Sequence, residues 1–139
     1  MRHARFAELD GRTVHDLLRL RVDVFVVEQG CAYPELDGRD VEPDAGHWWI
    51  DGTDGPAAYL RTLVEPDGSS RLGRVVTHPA ARGRGLAAAL VRAALDAVPH
   101  PVRIDAQSQL VDWYRSFGFE VDGPEFTEDG IVHTPMLRR

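Results

Sequence analysis

Residues 74 to 88 read Arg74-Val75-Val76-Thr77-His78-Pro79-Ala80-Ala81-Arg82-Gly83-Arg84-Gly85-Leu86-Ala87-Ala88. This is an apolar strand, a proline-broken turn, a glycine-arginine loop and the opening of an alanine-rich helix. Such a junction holds anions. Glycines at 83 and 85 let a ligand approach the backbone closely. The unpaired N–H groups and positive dipole end of the helix attract phosphate. Arg71, Arg74, Arg82, Arg84 and Arg92 fall in a window, residues 71 to 92, that contains no acid, although the chain as a whole carries a net charge of -6.

A chain of 139 residues with 43% apolar content is expected to form one domain, residues 1–139, around a real core. No apolar run reaches membrane-spanning length, and Met1 to Phe6 lack the hydrophobic segment of a secretory signal. Cys31 is the single cysteine, which excludes an intrachain disulfide and points to a reducing, cytoplasmic setting. All sixteen basic residues are arginine, so lysine nucleophiles and Schiff-base chemistry are ruled out. The acidic balance argues against general nucleic-acid binding, which needs a basic face larger than one loop.

Along the chain, residues 3 to 8 predict a strand and Asp10-Gly11-Arg12-Thr13 a turn with a helix cap. Val14, Leu18, Val22 and Phe25, with Leu17 beside them, have helical spacing, and the helix should end near Gly30. Residues 29 to 46 carry two prolines, three glycines and five acids and read as a long polar loop of functional length. Residues 47–50, 57–64 and 71–77 form a predicted antiparallel meander around turns at Asp51–Pro56 and Glu65–Gly68. Leu86, Leu90, Ala94 and Val98 mark a second amphipathic helix that Pro99 stops. Residues 102–106 form a buried strand, a third helix runs from Ser108 through Phe117, and strands follow Gly118, the last from Ile131 to Leu137. The predicted class is mixed α/β, in the order β-α-β-β-β-α-β-α-β-β.

Two families share the central motif. Gly83-x-Gly85-x-x-Ala88 satisfies the dinucleotide fingerprint, and Asp105 follows about twenty residues later. A nucleotide-binding oxidoreductase is nevertheless the weaker reading. Pro79 to Arg82 separate the strand from the glycines, a meander precedes them, and no second nucleotide-binding half has room after residue 105. The same residues resemble the acyl-CoA loop of the GNAT superfamily of N-acetyltransferases, whose pattern Gln/Arg-x-x-Gly-x-Gly/Ala is filled by Arg82, Gly85 and Ala87. Tyr114-Arg115-Ser116-Phe117-Gly118-Phe119 is similar to that family's Tyr-x-x-x-Gly-Phe signature. Val24 to Gln29, Cys31, Tyr33, Glu35 to Gly38, His47, Glu128 to Ile131 and His133 resemble its ElaA-like branch, so the likeness spans nearly the whole chain.

The resemblance implies an acetyl-CoA-dependent N-acetyltransferase acting on an amine acceptor by direct attack in a ternary complex. Acetyl-CoA would lie across Val75, Val76 and Thr77, with its pyrophosphate on Arg82, Gly83, Arg84, Gly85, Leu86, Ala87 and Ala88. The Val76 N–H would polarise the thioester carbonyl. Tyr114 would be the proton donor to the leaving thiolate, and Gln107 stands where many relatives carry a CoA-binding asparagine. An amine must also lose a proton, and Glu28 and His47 are the preferred acceptors, ahead of His78. The acidic loop fails the calcium-loop pattern at Arg39, so no metal is expected; its carboxylates would instead either concentrate a cationic acceptor or form a solvated charge run. The competing class is a non-catalytic CoA-binding sensor. The oligomeric state expected is monomer or homodimer.

Overall fold

The computed structural model describes residues 1–139. Strands and helices follow in the order β1 (Arg2–Arg5), α1 (Gly11–Arg21), β2 (Gly46–Gly52), β3 (Gly55–Val64), β4 (Ser70–Thr77), α2 (Leu86–Ala97), β5 (Val102–Gln107), α3 (Val111–Arg115), β6 (Glu120–Val121), β7 (Phe126–Glu128) and β8 (Ile131–Arg138). The strands make one open mixed sheet in the order β1-β2-β3-β4-β5-β8-β6, with β7 also on β8. This is the mixed α/β class read from the sequence, with a third short C-terminal strand added. Residues 6–8 form a 3-10 turn where strand was expected, and the third helix divides into a 3-10 turn, Ser108–Leu110, and the five-residue α3.

Asp10 caps α1 by accepting the Thr13 N–H at 2.7 Å, an interaction whose loss costs ~1 kcal/mol. The buried face of the helix is Leu17, Leu20 and Arg21, continuing to Val24. The sequence stripe through Val14, Leu18, Val22 and Phe25 is therefore rotated from the true one, because a buried arginine occupies the inner face. Beyond Arg21 the helix widens into a π-helical segment, Val22–Glu28. Such segments are rare and cluster at functional sites.

Two cores lie on opposite faces of the sheet. Leu90, Val91 and Ala94 of α2 are fully buried with Leu60, Val102, Tyr114 and Phe119 on one face; Leu17, Leu20 and Val24 pack on Trp49, Tyr59 and Val76 on the other. Complete burial stabilises each Leu or Val by roughly 1.5–3 kcal/mol, which holds α2, and the loop before it, against β3 and β4.

One junction shapes the molecule. β4 and β5 are parallel neighbours, yet only Ser70↔Val102 and Arg71↔Arg103 are paired. Beyond Arg71 the strands part and leave a cleft between their facing edges. Close to the parting, Arg74 has φ +54° and the β3–β4 register shifts between Tyr59 and Arg61. This is a β-bulge, which bends its strand and re-aims the side chains after it. Leu72 and Val75 consequently both face the α2 core, while Val76 faces the α1 core.

Candidate active site

The parted strands open into a cleft of about 1080 Å³, lined on one side by Gly73, Arg74, Val75, Val76 and Thr77 and on the other by Ile104 to Gln107. The glycine-arginine loop closes one end. Gly83 and Gly85 have φ +82° and +73°, a left-handed backbone that a side chain strains, and nothing lies within 4 Å of where a Cβ would stand. No side chain caps α2, and its first intrahelical bond is Ala89 N–H to Gly85 O at 3.1 Å. The N–H groups of Leu86, Ala87 and Ala88 therefore remain free for an anion.

Strand parity decides which β4 amides face the cleft. His78 N–H donates to Ala57 O of β3 at 2.8 Å, so Val76, two residues earlier, also turns its N–H toward β3. The expected oxyanion donor at Val76 is thus corrected: Val75 and Thr77 present their amides to the cleft. Thr77 O accepts from Arg82 Nε at 3.3 Å.

Arg82 also binds Glu28 through both terminal nitrogens, at 2.7 and 2.6 Å. This hydrogen bond and charge hold the Glu28 carboxyl below its ordinary range. Two predicted residues from distant segments, one assigned to the donor and one to the acceptor, are thereby brought into contact. Tyr114 lines the cleft although only 6% of it is exposed. Burial pushes its phenol pKa upward, so the hydroxyl keeps its proton at neutral pH. Gln107 lies on the same wall, accepting from Gln109 Nε2 at 2.8 Å.

His47 is elsewhere. It is 3% exposed, its Nδ1 pairs with the Tyr59 hydroxyl at 2.6 Å and its Nε2 with Asp40 O at 2.9 Å, and it is absent from the cleft lining. Burial lowers its pKa. With both nitrogens engaged, the ring has no lone pair to offer an amine in the cleft.

The acidic loop also departs from expectation, because its carboxylates point inward. Arg21 donates to Glu35 at 2.8 Å and Asp40 at 2.6 Å. Arg61 grips both oxygens of Asp37 at 2.9 Å and reaches Asp40 at 3.1 Å. Arg74 donates to Glu35 at 2.7 Å, and the Tyr33 hydroxyl bonds the same carboxylate. Burial alone would raise Asp37, but the hydrogen bonds from Arg61 and the Arg39 amide override it and bring its pKa to about 2. Glu35, Asp37 and Asp40 thus pin the loop and do not attract a cationic acceptor. Unpaired acids lie on the β7–β8 hairpin, where Glu128 and Asp129 line the cleft. Asp129-Gly130 is a two-residue turn with φ +52° and +77°, an Asp-Gly hairpin signal readable in the sequence. No group of three or more His, Cys, Asp or Glu side chains is arranged to hold a metal, and no helix is long and apolar enough to cross a membrane.

The sequence profile of the acetyltransferase (GNAT) domain family matches residues 38–139. The chain belongs to the GNAT family. A UPF0039 protein of Mycobacterium tuberculosis is 48% identical over 136 residues, covering 94% of this chain and 87% of its own length. The crystal structure of an acyl-CoA N-acyltransferase from Pseudomonas aeruginosa superposes with a TM-score of 0.92 at 37% identity, covering 99% of this GNAT chain and 97% of that one. Escherichia coli ElaA superposes with a TM-score of 0.91 at 34% identity and the same coverage. The GNAT assignment accounts for the parted β4 and β5 and the glycine loop at their end as parts of an acyltransferase fold.

Proposed function

We propose that residues 1–139 act as one acetyl-CoA-dependent N-acetyltransferase domain that transfers the acetyl group directly to an amine acceptor. The observation that carries this reading is the cleft between β4 and β5 ending on an uncapped, glycine-entered helix: an extended pantetheine fits its walls and a pyrophosphate its end. The amine nitrogen attacks the thioester carbonyl carbon, the oxyanion takes the Val75 N–H, and the C–S bond breaks. Tyr114 protonates the departing thiolate, and Glu28 accepts the proton lost by the amine, directly or through a water molecule. His47 is a positioning residue in this scheme, holding Tyr59 and the backbone at Asp40. The acceptor amine meets Glu28, Glu128 and Asp129. The scheme requires no metal or nucleic acid, works in a monomer or a homodimer, and suits the reduced thiol of Cys31 to the cytoplasm.

The test is calorimetry with acetyl-CoA on the wild-type chain and Gly85→Val. A side chain at φ +73° strains the loop and blocks the amides, so binding should disappear while the chain stays folded. Tight binding of NADH in place of acetyl-CoA would reject the donor assignment. A sensor without catalytic activity would bind acetyl-CoA yet release no thiol with any amine.

A further inference from the structure

The Arg82–Glu28 contact joins a donor-loop cation to the carboxylate that the scheme above gives to the acceptor. Three of the five Arg82 N–H groups are already used, two on Glu28 and one on Thr77 O. The ion pair is exposed, with 46% and 40% of the side chains accessible. Water screens such a pair, which is worth little. A pyrophosphate bound to the free amides of α2 offers Arg82 a more highly charged bidentate partner. Exchange of carboxylate for phosphate is therefore cheap for Arg82. Glu28 has the freedom to respond, because it is the last residue of the π-helical segment and has no second partner among the side-chain hydrogen bonds.

The geometry points to an exchange in which the donor pyrophosphate takes Arg82 from Glu28 and so completes the acceptor's ammonium site beside Glu128 and Asp129. While paired with Arg82, Glu28 shares its charge with the guanidinium and is a weaker site for an amine. Once released, it lines the cleft beside Gln29 and Gln107 as a free carboxylate that can bind an ammonium group and then accept its proton. The acceptor therefore binds productively only after the donor, and the binding order resides in one arginine. This inference rests on the proposed donor site.

Acetyl-CoA titrations of the wild-type chain and Glu28→Gln, with NMR titration of the wild-type Glu28 carboxyl with and without CoA, test it. Removing the competing carboxylate should tighten acetyl-CoA binding about two- to fivefold while turnover falls, and CoA should return the Glu28 titration toward the ordinary carboxylate range. Unchanged or weaker donor binding by Glu28→Gln, or a Glu28 titration that CoA does not move, would make the pair a structural brace and overturn the exchange alone. Failure of the wild-type chain to bind acetyl-CoA would overturn the donor site and the exchange with it.

Discussion

Arg21→Met is the most demanding perturbation, because it removes a guanidinium that is 1% exposed and serves two elements. Its bonds to Glu35 (2.8 Å), Asp40 (2.6 Å) and Glu35 O (3.2 Å) tie α1 to residues 35–40, and its charge lies 5.5 Å above the Tyr59 ring. Removing one partner of a buried ion pair costs roughly 3–5 kcal/mol, because the stranded charge keeps its desolvation penalty. Glu35 retains Arg74 and Asp40 retains Arg61, so the lower end applies, about 3 kcal/mol. In a chain of this size that lowers Tm by roughly 10 °C. Urea and thermal unfolding followed by circular dichroism measure both quantities. Adding Asp40→Asn to Arg21→Met should recover part of the loss, because Glu35, Asp37 and Asp40 then face only Arg61 and Arg74 and the substitution removes the surplus negative charge. A loss below about 1 kcal/mol, the range of exposed pairs, would refute the idea that this network pins the loop.

Tyr114→Phe should lower turnover far more than acetyl-CoA affinity, since only the hydroxyl is removed from a buried ring; unchanged kcat in a thiol-release assay would cancel its role. Glu128→Gln combined with Asp129→Asn, the latter tolerant of the left-handed backbone, should raise KM for amine acceptors and leave acetyl-CoA binding unaltered. Equal KM values would remove the hairpin from acceptor recognition. Acid should destabilise the fold in two steps. The His47 pKa is lowered by burial, so the unfolded chain takes up that proton first and stability declines as pH drops below about 6.5. Asp37 and Asp40 are held below their unfolded values, so their contribution is complete above about pH 4 and is lost as pH falls toward 2. Urea midpoints across pH 8 to 3 would follow both steps, and His47→Gln should flatten the upper one; an unaltered slope would assign that step to another group.

The backbone of the glycine loop was legible because its information is local. Gly83 and Gly85 report a backbone conformation, and Tyr114 to Phe119 a fixed helical spacing, within a few residues of chain. The inward turn of the acidic loop was not, because its partners are far apart in sequence. Nothing near Glu35 or Asp37 announces that Arg21, Arg61 and Arg74 will turn them inward, and a run of five acids looks solvated until those arginines are placed. Arg21 also hid the inner face of α1, since a charged residue breaks an apolar stripe even where it is buried. His47 looked reactive as an isolated imidazole; the fold engages both its nitrogens. The amide error at Val76 came from a single residue of strand parity, which the His78 bond to β3 resolves.

The two-residue pairing of β4 with β5 also bears on how the protein avoids aggregation. Past Arg71 the facing sides of both strands present backbone donors and acceptors in the middle of the sheet, each strand keeping its partner, β3 or β8, on the other side. Such groups on an outer edge would recruit a strand from another molecule. Here they line the two walls of a cleft within the sheet, not its outer edge. The unpaired backbone is therefore set back from the sheet's outer edges, and a ligand that binds there stabilises the fold by RT ln(1 + L/Kd), where L is its free concentration.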